Sequence, residues 1–328
     1  MRSTRLVLVV LLAALAASTA GAAATRPVSL LLDWTPNPDH VGFYYAKEHG
    51  LFTAAGLDVA IHAPSDPTAP LKLVAAGRAD LAVSYEQEVF FAAAKKLPVV
   101  AVAAVVPRPL NSIMAIEPGI RTVADLKGKT IGITGVPSDD AALATALASA
   151  GMTRRDVKVV VVGYNLLPAL LAHRVDAVLG VYRNVEGIEL QQRGLHPTII
   201  PLDRVGVPSY DELVLVASSD RLRTDPAYAA AVGGFTRAFL AGTAQARRDP
   251  KGSLALLRKV TASSKAFLAR ATPATLALLA GPHGVGCMSR AAWQRFGSWM
   301  LERRLLAKAV PVDRAMTVRY LPARCGSA

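Results

Sequence analysis

The feature that most constrains the fold is an alternation of short runs rich in β-branched residues with helical patterns. It runs through the first two thirds of the 328-residue chain. This alternation predicts an α/β fold with parallel sheets, because parallel strands need helical crossovers. The predicted strands are 28–33, 57–62, 81–84, 99–106, 130–134, 157–162, 177–181, 198–201 and 212–217. The predicted helices are 41–49, 69–76, 88–95, 139–150, 166–173 and 184–193, and the chain is mostly helical from residue 220 onward.

The pattern restarts after residue 112, which predicts two doubly wound lobes rather than one sheet. We expect one lobe from residues 25–112, a second from 113–213, and a final segment, 214–328, that returns to the first lobe. Two chain crossings, near residues 110–113 and 213–216, would form a hinge. Open α/β sheets bind ligands beyond the carboxyl ends of their strands, so two facing lobes predict an interlobe cleft that can close.

The first 24 residues are typical of a secretory signal peptide. Arg2 and Arg5 precede an apolar run over residues 6–17, and small residues end in three alanines at 22–24. That run is too short to span a bilayer, although a membrane anchor or a first core helix is the alternative. We expect an exported protein in the periplasm or another extracytoplasmic space.

The formal net charge of +13 raises the question of nucleic-acid binding. The basic residues are scattered, with pairs but no longer block and no interleaved aromatic residues, so nucleic acid is not an expected partner. The charge is interpreted as solvated faces that could favour an anionic surface nearby.

The two cysteines, Cys287 and Cys325, have no Cys or His neighbours at metal-ligand spacing. In an oxidising compartment they are expected to form a disulfide that ties the C-terminal tail to a loop; two unpaired thiols are the alternative. The chain has no G-x-S-x-G or H-E-x-x-H motif, and its six histidines do not pair at ligand spacing. No catalytic residue, metal or cofactor is therefore expected.

The loop after the first predicted strand carries the first candidate binding residues. Trp34 follows Asp33 in a Pro-stiffened loop and could present a flat wall on which a ring stacks; a Trp buried under its own loop is the alternative. Asn37 and His40 could hydrogen-bond the edge of a ligand. Asp39 could simply cap the following helix.

Two later loops add further candidates. Tyr85 follows the strand 81–84 and could form a second aromatic wall. Pro137 lies in the Gly-containing loop 135–140, whose free backbone N–H groups suit polar or anionic ligand atoms.

Tyr182, Asn184 and Glu186 lie at i, i+2 and i+4 where a strand passes into a helix. A carboxylate can accept from an exocyclic N–H group and an amide can donate to a ring nitrogen. This set therefore suits an amino-substituted heterocycle, although Glu186 on an exposed helix face is the alternative.

These residues resemble a known family. Residues 32–37 (LDWTPN), 76–80 (AGRAD) and 128–132 (GKTIG) look like the THI5/NMT1-like periplasmic binding proteins of ABC importers. Residues 109–112, 165–170, 180–187 and 211–216 are similar to the subgroup that binds thiamine-pyrimidine precursors. The resemblance covers nearly the whole chain after residue 28.

The resemblance implies the type II periplasmic-binding fold, a monomer, a membrane permease as partner, and an aminomethyl-, hydroxymethyl- or formylaminomethyl-pyrimidine as ligand. It points most strongly to Trp34, Tyr85 and Glu186. Arg183 stands where the subgroup tends to have an aromatic residue, and Val41 departs from the usual pattern as well. The alternatives are a binding protein for a sulfonate, nitrate or another heterocycle, a pyrimidine-forming enzyme, and the ligand domain of a sensor.

Overall fold

The computed structural model describes residues 25–325, so the predicted signal peptide lies outside the described residues. Within that range the chain forms two five-stranded sheets. The strands are β1 (Arg26–Leu31), β2 (Leu57–His62), β3 (Leu81–Ser84), β4 (Val99–Val106), β5 (Asn111–Ala115), β6 (Thr130–Ile133), β7 (Lys158–Val161), β8 (Ala177–Tyr182), β9 (Thr198–Pro201) and β10 (Leu213–Ser218).

The helices lie between the strands and in the C-terminal third. They are α1 (Val41–Glu48), α2 (Leu51–Ala54), α3 (Ala69–Ala75), α4 (Glu86–Ala94), α5 (Pro137–Ser149), α6 (Leu166–Leu171), α7 (Glu186–Gln192), α8 (Ser219–Thr224), α9 (Pro226–Arg248), α10 (Pro250–Val260), α11 (Lys265–Leu276), α12 (Arg290–Glu302) and α13 (Val312–Ala315). None of the helices described between residues 25 and 325 has the length and apolar character needed to cross a membrane.

The two sheets share one topology, which confirms the predicted two-lobed α/β fold. The first sheet has the order β2-β1-β3-β10-β4 and the second has the order β7-β6-β8-β5-β9. We call each sheet with the helices packed on it a lobe. The C-terminal helix α9 packs on α1 of the first lobe, where Gly42 leaves no room for a Cβ atom against Thr243.

The expectation of parallel sheets was wrong for one strand in each sheet, so both sheets are mixed. β10 runs antiparallel to β3 and β4, and β5 runs antiparallel to β8 and β9. Each is the first strand after the chain changes lobe. The chain leaves a sheet at the cleft, where the parallel strands end, so it enters the other sheet at that edge and must run away from it.

The local pattern predicts most strands well and misses one. The bounds of β2, β3, β4 and β9 are those predicted, whereas no strand was predicted at β5. The first crossing lies between β4 and β5, and the second lies between β9 and β10. The second crossing therefore precedes residues 213–216, which are part of a buried strand.

The C-terminal tail closes the open edge of the first sheet. Met316 forms a parallel bridge with Ala101 of β4, the edge strand, and Thr317 N donates to the Ala101 carbonyl oxygen at 2.9 Å. Cys287 and Cys325 form the expected disulfide across a sequence separation of 38 residues. The tail is therefore held at both ends of its path along this edge.

Replacing both Cys287 and Cys325 by serine should lower the free energy of unfolding. A loop of this length implies a loss of roughly 3–4 kcal/mol through the entropy of the unfolded chain. Urea unfolding of the double variant measures the change. Reducing agent should destabilise the parent protein but leave the variant unaffected; equal stability of the two proteins would contradict the prediction.

Candidate functional site

The loop after β1 is locked by its own side chains. Asn37 Oδ1 accepts a hydrogen bond from Asp39 N at 2.8 Å, so Asn37, rather than Asp39, caps the short 3-10 helix that follows. His40 is fully buried, and its Nδ1 accepts from Asn37 N at 3.3 Å. Its Nε2 lies 2.7 Å from Asp33 Oδ1 and is therefore assigned the proton. The side chains of Asn37 and His40 are thus bonded within the loop, which leaves Trp34 as its projecting ring.

A cavity of about 220 Å³ lies between the lobes at the carboxyl ends of β1, β3 and β8. It brings together four of the eight predicted site residues: Trp34, Tyr85, Tyr182 and Glu186. Its full lining is Asp33, Trp34, Pro67, Tyr85, Thr134, Tyr164, Leu166, Leu167, Pro168, Gly180, Tyr182, Glu186 and Glu189. The cavity is therefore aromatic and apolar, with three carboxylic acids in its wall.

Three aromatic side chains are organised around Asp33. Tyr85 donates from its hydroxyl to Asp33 Oδ2 at 3.3 Å, while Tyr164 of the second lobe donates to the Asp33 carbonyl oxygen at 2.8 Å. The rings of Trp34 and Tyr164 have centroids 6.4 Å apart and planes tilted by 31°. The aromatic walls of the two lobes thus meet across the cleft, within the range of favourable ring contacts.

Tyr164 was missed by sequence reasoning, although a signal was present. It follows β7 closely, much as Tyr85 follows β3 and Trp34 follows β1. An aromatic residue just beyond a strand is the pattern that identified the other two. The predicted strand 157–162 ends two residues before Tyr164, so the same rule would have identified it.

Glu186 begins α7 and is 6% exposed. Its Oε2 accepts from Tyr182 N at 2.7 Å. Burial raises the pKa of Glu186 to about 8, and the nearby Asp39 charge adds to the rise while the backbone hydrogen bonds oppose it. At neutral pH this carboxyl is therefore mostly protonated, so that it can donate a hydrogen bond as well as accept one.

Asn184 lies between the lobes rather than in the wall of the cavity. Its Nδ2 donates to Asp39 Oδ1 at 2.8 Å and to Thr275 Oγ1 of α11 at 2.9 Å. Asp39 and Thr275 belong to the first lobe and Asn184 to the second. Burial raises the pKa of Asp39 to about 6, and the bond from Asn184 opposes that rise. The amide therefore works as a bridge between lobes.

Pro137 begins α5 and lines a neighbouring cavity of about 220 Å³ that shares Asp33, Pro67 and Tyr85 with the first. The backbone amide that follows it is already used, because Ser138 N donates to Glu88 Oε1 of the first lobe at 2.9 Å. This bond is a second bridge between lobes. Among residues 25–325, no group of three or more His, Cys, Asp or Glu side chains is arranged to hold a metal ion.

The fold matches that of a solved binding protein. The alkanesulfonate-binding protein SsuA of Xanthomonas axonopodis pv. citri superimposes with a TM-score of 0.69. The match covers 90% of this chain and 98% of that one at 22% identity, a level that shows the shared fold alone. Residues 37–253 match the NMT1/THI5-like family, and the chain belongs to that family.

Three relatives are more informative about sequence. A Haemophilus influenzae protein named for thiamine biosynthesis is 40% identical over 60% of this chain and 63% of its own length, which is less than two thirds of that relative. The formylaminopyrimidine-binding protein of Halalkalibacterium halodurans is 34% identical over 90% of both chains. A 4-amino-5-hydroxymethyl-2-methylpyrimidine phosphate synthase of Uromyces fabae is 28% identical over 72% of this chain and 71% of its own.

Replacing Asn184 by alanine should open the cleft, because the bridge to Asp39 and Thr275 is lost. We expect a larger radius of gyration in solution scattering, and ligand affinities weakened by a similar factor for every ligand. The Gln245→Ala variant, which shortens an amide side chain on α9 of the first lobe, is the matched control. If Asn184→Ala instead weakened one heterocycle selectively and left the radius unchanged, Asn184 would be a ligand-reading residue and the bridge would be wrong.

Proposed function

We propose that this chain is the extracytoplasmic solute-binding protein of an ABC importer and binds a thiamine-related pyrimidine. The ligand would be a hydroxymethyl-, aminomethyl- or formylaminomethyl-pyrimidine held in the interlobe cavity. One observation carries the proposal: aromatic rings from both lobes surround a buried carboxyl group, Glu186, in a single cavity. The relative in Halalkalibacterium halodurans, whose name includes formylaminopyrimidine, supports the same ligand class.

The size of the cavity favours a single-ring ligand. At about 220 Å³ it is smaller than the range of about 300–1,000 Å³ found for drug-sized ligands. Trp34 and Tyr164 offer ring faces, while Leu166 and Leu167 provide apolar contacts. A flat heterocycle with one short substituent suits these walls.

The chemistry of Glu186 favours an aminopyrimidine. A protonated carboxyl can donate to a ring nitrogen and accept from a neighbouring exocyclic amine, a pattern that an amino-substituted pyrimidine presents on one edge. The raised pKa of Glu186 keeps that proton available near neutral pH. Glu186 alone would then bond both the amine and the ring nitrogen of the ligand. The sequence-based expectation had divided these two contacts between Glu186 and Asn184.

The mechanism follows from the two lobes. A ligand that contacts Trp34 and Tyr85 on one lobe and Glu186 on the other binds the closed form better than the open form. Its differential affinity therefore shifts the population towards closure. The closed protein, acting as a monomer in the periplasm or another extracytoplasmic space, is what the membrane permease recognises.

Two other functions are less favoured by the site. A sulfonate or nitrate would find no Lys or Arg side chain among the residues that line this cavity, and Asp33 lies in the same wall. A pyrimidine-forming enzyme is suggested by a synthase relative that is 28% identical over 72% of this chain, which is less than the 34% over 90% of the binding-protein relative. An extracytoplasmic sensor domain would bind the same ligand without importing it.

Calorimetry on ligand-stripped protein tests the proposal. The panel is 4-amino-5-hydroxymethyl-2-methylpyrimidine, its formylaminomethyl relative, taurine and nitrate. We expect heat with at least one pyrimidine and none with the two anions. Binding to taurine alone would overturn the pyrimidine assignment, and turnover of candidate substrates in the presence of iron would favour the enzyme.

Replacing Trp34 by alanine should weaken pyrimidine binding roughly tenfold to a hundredfold, which is the range that stacking energies imply. Trp34 is half-buried on a loop that is braced by other side chains, so the melting temperature should change little. Tyr320→Ala removes a comparably exposed aromatic far from the cleft and should bind like the parent. Equal affinities of all three proteins would show that the ring does not stack on Trp34.

Affinity for an aminopyrimidine should fall as the pH rises above about 8. The complex needs one proton between Glu186 and the ring nitrogen, and the free carboxyl loses that proton as the pH passes its raised pKa. Calorimetry between pH 6 and 10 would show the fall, roughly tenfold per pH unit above the pKa. Glu186→Gln should bind more weakly and lose this dependence on pH; a parent protein whose affinity is flat across this range would contradict the proton assignment.

A further inference from the structure

The net positive charge of this protein is confined to one part of the chain. Residues 1–213 contain 19 basic and 19 acidic residues, whereas residues 214–328 contain 18 basic residues and five acidic ones. The whole formal net charge of +13 therefore lies in the segment that forms the C-terminal helices. This uneven distribution of charge does not show in short stretches of the sequence, because the segment has no basic block longer than a pair.

Within that segment the charge is densest around α10 and α11. Residues 247–270 contain seven basic residues, all exposed, and a single acidic residue, Asp249. Asp249 faces inward, where it caps α10 through Gly252 N and accepts from the Tyr45 hydroxyl. In the described part of the chain, Arg248, Lys251, Arg258 and Lys265 form no salt bridge. Lys259 of α10 is paired with Glu48 at 2.8 Å. The exposed side of these two helices, which we call the basic face, is thus neutralised at Lys259 but not at those four residues.

The basic face borders the mouth of the ligand cleft. The connection between α10 and α11, including Ser263 and Ser264, lines a groove of about 670 Å³. The same groove is lined by Trp34 and Glu189, which also line the ligand cavity. Arg270 of α11 reaches across to the second lobe, where its Nη2 donates to Gln191 Oε1 at 3.1 Å. The densest charge therefore lies beside one entrance to the cleft.

We propose that the basic face of α10 and α11 docks on the anionic headgroups of the membrane that holds the permease. The inference rests on the proposed function, because a binding protein must turn the mouth of its cleft towards that membrane to deliver its ligand. A face of exposed Lys and Arg side chains beside that mouth is then the surface that meets the headgroups. Juxtamembrane basic residues bind anionic lipid through this attraction, which salt weakens within a short distance. The contact would concentrate the protein at the membrane in an orientation suited to delivery.

Co-sedimentation with lipid vesicles tests the proposal. The full mature chain should bind mixed phosphatidylglycerol and phosphatidylcholine vesicles at low salt, bind less as salt rises, and not bind pure phosphatidylcholine. Changing Arg248, Lys251, Arg258 and Lys265 to glutamine should reduce binding roughly tenfold or more. The matched control changes Lys127, Arg155, Lys158 and Arg174 of the second lobe to glutamine, with the same loss of charge, and should stay within about twofold of the parent.

Each other outcome would overturn the proposal. Equal losses in the two variants would show that overall charge, rather than this face, binds lipid. Absence of binding to anionic vesicles would exclude the lipid contact. Binding to permease in pure phosphatidylcholine vesicles that depends on the same four residues would assign the face to an acidic protein surface instead. Calorimetric ligand binding, expected to be unchanged in both variants, separates a failure of this inference from a failure of the proposed function.

Discussion

One buried carboxylate, Glu212, holds together the two segments through which the chain passes between lobes. Its Oε2 accepts from Leu110 N at 2.6 Å and Asn111 N at 2.8 Å on the first crossing, and from the Tyr210 hydroxyl at 2.9 Å on the second. Burial raises the pKa of Glu212 to about 7, and these three donors oppose that rise. Without this carboxylate the buried Leu110 amide would lack this partner, at a cost of about 1–3 kcal/mol, and the partly buried Asn111 amide would lose it as well.

The position of the cleft depends on that junction. Because both crossings are joined at the carboxyl ends of the parallel strands, the strand ends of the two sheets face each other. The cavity is therefore built from residues just beyond strands, such as Trp34 and Tyr85, and from the start of a helix at Glu186. The proposed hinge and the candidate ligand cavity thus both follow from the chain crossing twice between the lobes at this edge.

Hydrogen bonds across the cleft favour closure of the lobes, whereas buried polar atoms without hydrogen-bond partners oppose it. Tyr164 and Asn184 donate across the cleft, but Asp39 Oδ2 and Asn184 Oδ1 are buried without hydrogen-bond partners among the described residues. Unpaired buried polar atoms are destabilising by a few kcal/mol at most, which is comparable to what a bridging bond contributes. A balance of this size lets a small ligand decide between open and closed forms.

The sequence-based predictions were accurate for features that depend on neighbouring residues and failed for features that depend on distant parts of the chain. The bounds of β4 were predicted because its long apolar run specifies a buried strand locally, and those of β2 because an alternating pattern is typical of a half-buried strand. The strand β5 was missed because it follows the proline-containing stretch 107–110 directly and begins with two polar residues, Asn111 and Ser112. The direction of a strand within a sheet depends on where the chain enters it, and no local pattern records that.

The same division applies to the site. The sequence by itself determined that Trp34, Tyr85 and Glu186 stand at strand or helix ends, because that placement depends only on where local elements begin and end. Only the tertiary structure decided that His40 bonds to Asp33 within its own loop and that Asn184 bonds to Thr275, 91 residues along the chain. Polar side chains take whichever partner the fold brings within hydrogen-bond distance, and that choice is made by packing between distant segments.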